Sequence, residues 1–61
     1  MKCYRYACRL SAVRFVLTRD GVPWTAGFCD EHATDYLEAD LIAVRKEISI
    51  EEAFVWGVQE S

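Results

Sequence analysis

Apolar and polar residues alternate along two neighbouring segments in the first half of the chain. A period of two residues is typical of a half-buried β-strand. Asp20-Gly21 lies between the segments, and this dipeptide tolerates the positive φ angles of a two-residue type I′ turn. The pattern therefore predicts a β-hairpin over about residues 12–28. Its apolar positions are Val13, Phe15 and Leu17 in the first strand and Val22, Trp24, Ala26 and Phe28 in the second.

The two-residue turn also predicts a register, because it places Arg19 opposite Val22. Residues that pair across antiparallel strands share one face of the sheet, and a slip of one residue would exchange the two faces. We therefore expect one face that holds every large apolar side chain and a solvated face that carries Arg14. The further pairs in this register are Leu17 with Trp24, Phe15 with Ala26, and Val13 with Phe28.

Beyond Cys29 the apolar residues recur at helical spacing, which predicts an amphipathic helix over about residues 30–46. Asp30 and Glu31 would lie favourably at the positive end of its dipole, and Arg45 and Lys46 would suit its last turn. The apolar positions of this helix are Ala33, Tyr36, Leu37, Leu41, Val44 and Ile48.

A short second element follows. Ser49 and Glu52 match a capping box, which favours a helix over about residues 50–59. Residues 53–58 are an unbroken apolar run rich in residues that favour strands, and periodicity does not separate a short buried strand from a helix. We favour the helix and leave the strand as the alternative.

Three cysteines and the single histidine have the spacing of a metal site. Zinc in tetrahedral structural sites prefers thiolate and imidazole ligands, and four protein ligands leave no open position for a substrate. The hairpin would return Cys29 to the side of Cys8, and Cys29 and His32 are one helical turn apart. The pattern predicts a structural zinc ion on Cys3, Cys8, Cys29 and His32. The alternative is three small buried cysteines and an incidental histidine.

A cysteine knuckle at residues 3–8, a hairpin, and a helix that carries the last two ligands together resemble the treble-clef zinc finger. The resemblance covers residues 3 to about 46. The Cys29-Asp-Glu-His32 segment after an apolar strand, with Arg-Asp-Gly at the hairpin tip, also resembles short zinc-finger proteins of actinobacteria and their phages. These resemblances imply a small zinc-stabilised α+β fold with zinc on the same four residues. The x4 spacing of the first pair departs from the commoner x2, and the fold hosts many functions, so it implies no single one.

A chain of 61 residues has room for one domain, here residues 1–61, with a core that is marginal without a metal or a partner. Three cysteines leave an odd thiol after any disulfide, and the first residues do not resemble a signal peptide, so we expect a cytoplasmic protein. No segment approaches the roughly 18 apolar residues of a membrane span, so we expect no membrane partner.

Charge divides the chain into two halves. Residues 1–28 hold five basic side chains and one acidic one, whereas residues 29–61 hold nine acidic and two basic ones. The acidic half repels phosphate, so a nucleic-acid-binding regulator is the alternative function rather than the first choice. Its contacts would be Arg5, Arg9, Arg14 and Arg19, beside Tyr4, Tyr6 and Trp24.

The apolar run near the C-terminus is the other candidate site. On a helix its side chains would wrap most of the circumference, and the hairpin cannot cover them all, so we expect a protein partner or a second copy of the chain to do so. The candidate contacts are Phe54, Val55, Trp56 and Val58. The only histidine is assigned to the metal, so we expect no enzymatic activity. The sequence thus favours a non-enzymatic, zinc-stabilised interaction module.

Overall fold

The computed structural model describes residues 1–39 and 44–59 as a small α+β fold. Its sheet has the strand order β3-β1-β2-β4; the first three strands are antiparallel, and β4 pairs in parallel with β2. Within these residues, neither helix has the length and apolar character that crossing a bilayer requires. The elements are β1 (Arg14–Asp20), β2 (Val22–Phe28), α1 (Asp30–Glu38), β3 (Val44–Ile48), α2 (Ile50–Trp56) and β4 (Val58–Gln59).

The predicted hairpin is confirmed, but its predicted register is wrong by one residue. Val16 pairs with Ala26 and Thr18 with Trp24. The turn is centred on Gly21, whose φ of 81° is readily adopted by glycine, rather than on the pair Asp20-Gly21. The expected single apolar face is therefore wrong as well. The sheet is covered on both faces, so each face needs its own apolar residues.

One face of the sheet packs against α1 and the first residues of the chain. Tyr36 lies near the centre of this layer: its ring stacks on Phe28 with 4.8 Å between centroids, and its hydroxyl is 3.0 Å from Thr18 Oγ1. The guanidinium of Arg45 lies 4.5 Å from the same ring. We call this face the α1 side. Its buried cluster consists of Cys3, Val16, Ala26, Phe28, Cys29 and Ala33.

The opposite face packs against α2 and is called the α2 side. Ala53 is the buried residue of this helix, and it joins a cluster with Phe15, Leu17 and Ile48. Phe15 pairs with Ile48 across β1 and β3, so the two side chains share the face that α2 covers. β1 thus supplies Val16 to one core and Phe15 and Leu17 to the other.

The helix predicted over residues 30–46 is correct only at its start. It ends at Glu38, and Ala39 has extended backbone. Val44, Arg45 and Lys46 lie in β3 instead, where Val44 is exposed and Ile48 is buried. A spacing of four residues, as between Val44 and Ile48, satisfies both the helical period and the strand period of two. Leu41 lies outside the described residues.

The second helix is confirmed over most of its predicted length. The hydroxyl of Ser49 accepts a hydrogen bond from the backbone N–H of Glu52 at 3.2 Å, as the capping box predicts. The helix ends at Trp56 rather than near residue 59, because Gly57 has a φ of 86° and the chain then enters β4. The strand alternative therefore holds for Val58 and Gln59.

Candidate metal centre

The knuckle brings Cys3 and Cys8 together. The backbone N–H of Cys3 donates to the carbonyl of Leu10 at 2.9 Å, and the N–H of Cys8 donates to the carbonyl of Arg5 at 3.1 Å. Ala7, with a φ of 65°, reverses the chain just before Cys8. These bonds fold the first pair of sulfur atoms toward one point.

The second pair comes from the junction between β2 and α1. Cys29 precedes α1 in extended conformation, and its carbonyl accepts from the N–H of Ala33 at 2.9 Å. His32 therefore lies in the first turn, on the same side as Cys29. The N–H of Tyr4 donates to the carbonyl of Gly27 at 2.7 Å, which holds the knuckle against the end of β2.

The four predicted ligands converge on one point. Sγ of Cys8 lies 4.0 Å from Sγ of Cys29, and Nδ1 of His32 lies 3.4 Å from Sγ of Cys3 and 3.3 Å from Sγ of Cys29. Taken over all four residues, the donor atoms lie within 4.8 Å of one another. Cys3 and Cys29 are buried, and Cys8 and His32 are partly buried. All three cysteines are free thiols, so no disulfide competes for the site.

The backbone around the site prepares a thiolate at Cys3. Burial raises the pKa of the Cys3 thiol, but hydrogen bonds from the backbone of Cys29 and Arg5 and from the His32 side chain outweigh burial and lower this pKa to about 6, from an ordinary 9.0. At Cys8 the Leu10 backbone lowers the pKa, whereas desolvation and the neighbouring thiols raise it, and the net direction is upward. A thiol must lose its proton to bind a metal, so Cys3 is better prepared than Cys8 to act as a ligand.

Three of the donor separations can be compared with those around a tetrahedral ion. Bonds of about 2.3 Å to sulfur and about 2.0 Å to nitrogen separate two sulfurs by about 3.8 Å, and a sulfur from a nitrogen by about 3.5 Å. The observed separations of 4.0, 3.4 and 3.3 Å are close to these values. The cluster is therefore a possible metal-binding site with one ligand atom from each residue.

No protein-family model, no curated protein and no solved structure matches the chain. The assignment of the site therefore rests on the chemistry and geometry of its own residues.

The four residues of the predicted partner surface do not lie in one environment. Phe54 and Val55 are well exposed on α2, at 66% and 81% of their surface. Trp56 is 38% exposed, and the guanidinium of Arg19 lies 5.4 Å from its ring centroid. Val58 is partly buried against the cluster on the α2 side, so it contributes to the fold rather than to an open surface.

The four predicted nucleic-acid contacts are also divided. Arg14 was predicted to lie on a solvated face, opposite the apolar residues. This prediction is wrong. The Arg14 guanidinium donates to both carboxylate oxygens of Glu47, at 3.1 and 2.7 Å, to Oδ1 of Asp30 at 3.0 Å and to Oγ1 of Thr34 at 2.7 Å. Arg19 lies on the α2 side with Trp56. Only Arg5 and Arg9 remain together, at the knuckle.

Lys2 is a residue that the sequence reasoning missed. It lines an open depression at the knuckle together with Arg5 and Arg9. The signal was present in the sequence, because the three cations flank Cys3 and Cys8 within eight positions. Their common surface depends on the turn at Ala7, which spacing alone does not indicate.

Proposed function

We propose that the chain is a non-enzymatic, zinc-stabilised interaction module that binds a protein partner through α2. The exposure of Phe54 and Val55 carries this proposal. α2 buries Ala53 against the sheet, yet it presents to solvent Phe54 and Val55, the most exposed of its large apolar side chains. Large apolar side chains exposed together are typical of interaction sites.

Zinc is the metal that this donor set supports best. Three thiolates and one imidazole at tetrahedral separations suit zinc, whereas magnesium and calcium prefer oxygen ligands. Four protein ligands fill a tetrahedral ion and leave no position for a substrate. The single histidine of the chain is one of these ligands. A structural role for the metal follows, which is why the proposal includes no catalysis.

The order of elements supports a treble-clef arrangement for the metal region. A knuckle supplies Cys3 and Cys8, a hairpin follows, and the first turn of a helix supplies the remaining ligands. We infer that β3, α2 and β4 are additions to this arrangement, which extend the hairpin to a wider sheet and cover its second face.

The partner that fits α2 best is a second copy of the chain. α2 carries Glu51 and Glu52 in its first turn, next to its exposed apolar side chains. The same side of the molecule has a groove of about 280 Å³ beside α2, lined by Leu17, Arg19, Val44, Lys46 and Glu52. The two cations of this groove, beside Leu17 and Val44, complement an acidic, apolar helix, and a twofold contact would use helix and groove from both copies.

Sedimentation of purified protein over a concentration series tests this proposal. We expect a reversible dimer in the wild type and a dissociation constant at least about tenfold higher in Phe54→Ser, because a buried aromatic anchor is worth about 2 kcal/mol. Val22→Ser is the matched control, since Val22 is an exposed apolar residue at the hairpin turn, and it should dimerise normally. A monomer at every concentration, or equal losses in the two variants, would contradict the proposal.

A further inference from the structure

The knuckle surrounds a second concave surface, separate from the groove beside α2. It is an open depression of about 270 Å³ lined by Lys2, Arg5, Tyr6, Ala7, Cys8 and Arg9. The knuckle packs through Cys3 into the cluster on the α1 side, whereas α2 covers the opposite face of the sheet. A ligand in this depression would therefore leave α2 accessible.

Three cations of the depression lack carboxylate partners among the described side chains. Lys2, Arg5 and Arg9 are exposed, and the ion pairs of the described residues involve Arg14 instead. The contrast with Arg14 is clear, because that guanidinium is held by Asp30 and Glu47. Three unpaired cations within eight positions produce a positive potential on a chain whose net charge is −3.

Tyr6 adds an aromatic ring to the positive surface. Its side chain is 96% exposed, so both faces of the ring are open to solvent. A tyrosine that packs against nothing in its own chain contributes little to folding, but it can stack on a planar ligand. Proteins that bind single strands use aromatic rings to stack on bases and cations to neutralise phosphates. Tyr6 supplies the ring here, and Arg5 and Arg9 supply cations on either side of it in the sequence.

We propose that the knuckle depression binds single-stranded nucleic acid. Tyr6 stacks on one base, and Lys2, Arg5 and Arg9 neutralise the phosphates on either side of it. This site is smaller than the four-arginine surface that the sequence indicates, and it excludes Arg14 and Arg19. It is independent of the partner surface on α2.

The size and charge of the surface favour a single strand over a duplex or an acidic peptide. A duplex extends beyond a depression of about 270 Å³, so most of its phosphates would lie away from the three cations, on a chain whose net charge is −3. An acidic peptide would neutralise the cations but would leave the ring of Tyr6 without a stacking partner. A flexible strand satisfies both the cations and the ring.

Fluorescence anisotropy with a labelled oligothymidylate of about ten nucleotides tests the proposal. Three phosphate contacts should give a slope of about −2 for the logarithm of the association constant against the logarithm of salt concentration. Arg9→Gln should reduce the size of that slope by about 0.7, because one contact is lost. Lys46→Gln, which removes the same charge from β3, should leave the slope unchanged.

Replacement of Tyr6 tests the stacking part separately. Tyr6→Ala should weaken binding at least about fivefold, and Tyr6→Phe should bind like the wild type, because the ring is retained. Circular dichroism and metal content should match the wild type in every variant. The proposal is overturned by no binding at low salt, by equal effects of Arg9→Gln and Lys46→Gln, by equal affinity for duplex DNA, or by equal affinity for a polyglutamate peptide.

Discussion

Gly27 shows how closely the chain is packed where the knuckle meets the sheet. A β-carbon at this position would lie 2.8 Å from Cβ of Ala12, 3.0 Å from Cε1 of Phe15 and 3.2 Å from Sδ of Met1. The contact of 2.8 Å with Ala12 would force a neighbour to move, the other two are tight, and interior packing leaves little room for such movement. The carbonyl of Gly27 also accepts the bond from Tyr4 that holds the knuckle.

Gly27→Ala should therefore destabilise the fold. We expect a loss of about 1–3 kcal/mol in the free energy of unfolding, as is typical of overpacked sites, measured by urea denaturation with metal present. Ala12→Gly in the same chain removes the closest of the clashing atoms and should restore part of the loss. If the changes in unfolding free energy of Gly27→Ala and Ala12→Gly were strictly additive, the contact between positions 12 and 27 would not limit packing.

The four residues of the possible metal site were predictable from the sequence because their chemistry is local. Cys29 and His32 lie one turn apart on a helix, and thiolate and imidazole groups at that spacing have few other common uses. The role of Arg14 was not predictable. Its partners Asp30 and Glu47 lie 16 and 33 positions away, and only the fold brings them to the same guanidinium.

At the scale of elements, Arg14 connects β1 with β3 and with the first turn of α1. Its hydrogen bonds to Glu47, Asp30 and Thr34 span three elements, and the Arg14 guanidinium holds the pKa of the Glu47 carboxyl below its ordinary value. A carboxyl whose pKa is lower in the folded state stabilises the fold above its unfolded pKa. That contribution is lost as pH falls through the folded value.

Arg14→Gln should lower the thermal unfolding midpoint by a few degrees, because it removes a bidentate ion pair and the link to α1. Arg19→Gln is the control with the same charge change on the other face of the sheet, and it should have the smaller effect. The difference in thermal unfolding midpoint between the wild type and Glu47→Gln should be largest near neutral pH. It should shrink below the ordinary pKa of glutamate, about 4.3. Equal midpoints for Arg14→Gln and Arg19→Gln would contradict this role.

The errors in the predicted elements have a common physical cause. The hairpin was assigned one apolar face, but β1 contributes Val16 to the α1 side and Leu17 to the α2 side. The observed register of β1 and β2 also differs from the predicted register by one residue. Residues 44–46 were assigned to the end of a helix, but they belong to the segment 44–48 that pairs with the outer edge of β1. The register of the hairpin and the choice between helix and strand both depend on which surfaces the other elements cover. Periodicity within one segment gives no information about that coverage.

At the scale of the whole molecule, β1 couples the metal site to the distant helix α2. Two residues of the possible metal site, Cys3 and Cys29, are themselves part of the buried cluster on the α1 side. If that cluster opens, β1 loses the packing of Val16. The same strand places Phe15 and Leu17 under α2, so the packing of α2 would be lost as well. Stabilisation of the metal site should therefore extend to both faces of the sheet.

On the proposal of a structural zinc, removal of the metal should unfold the two faces together. A structural zinc contributes on the order of 10 kcal/mol, which exceeds the stability expected of a 61-residue core alone. Each face carries one tryptophan, Trp24 on the α1 side and Trp56 on the α2 side, so Trp56→Phe and Trp24→Phe leave one reporter each. We expect both fluorescence signals to change at the same chelator concentration. A Trp56 signal that survives full chelation would show that α2 folds without the metal.

β3 forms the outer edge of the sheet within the described part of the chain. Three consecutive charged residues, Arg45, Lys46 and Glu47, occupy the middle of this strand. Charged side chains on an edge strand oppose hydrogen bonding to the sheet edge of another copy. β3 thus carries a barrier to fibre-like, edge-to-edge polymerisation of the protein.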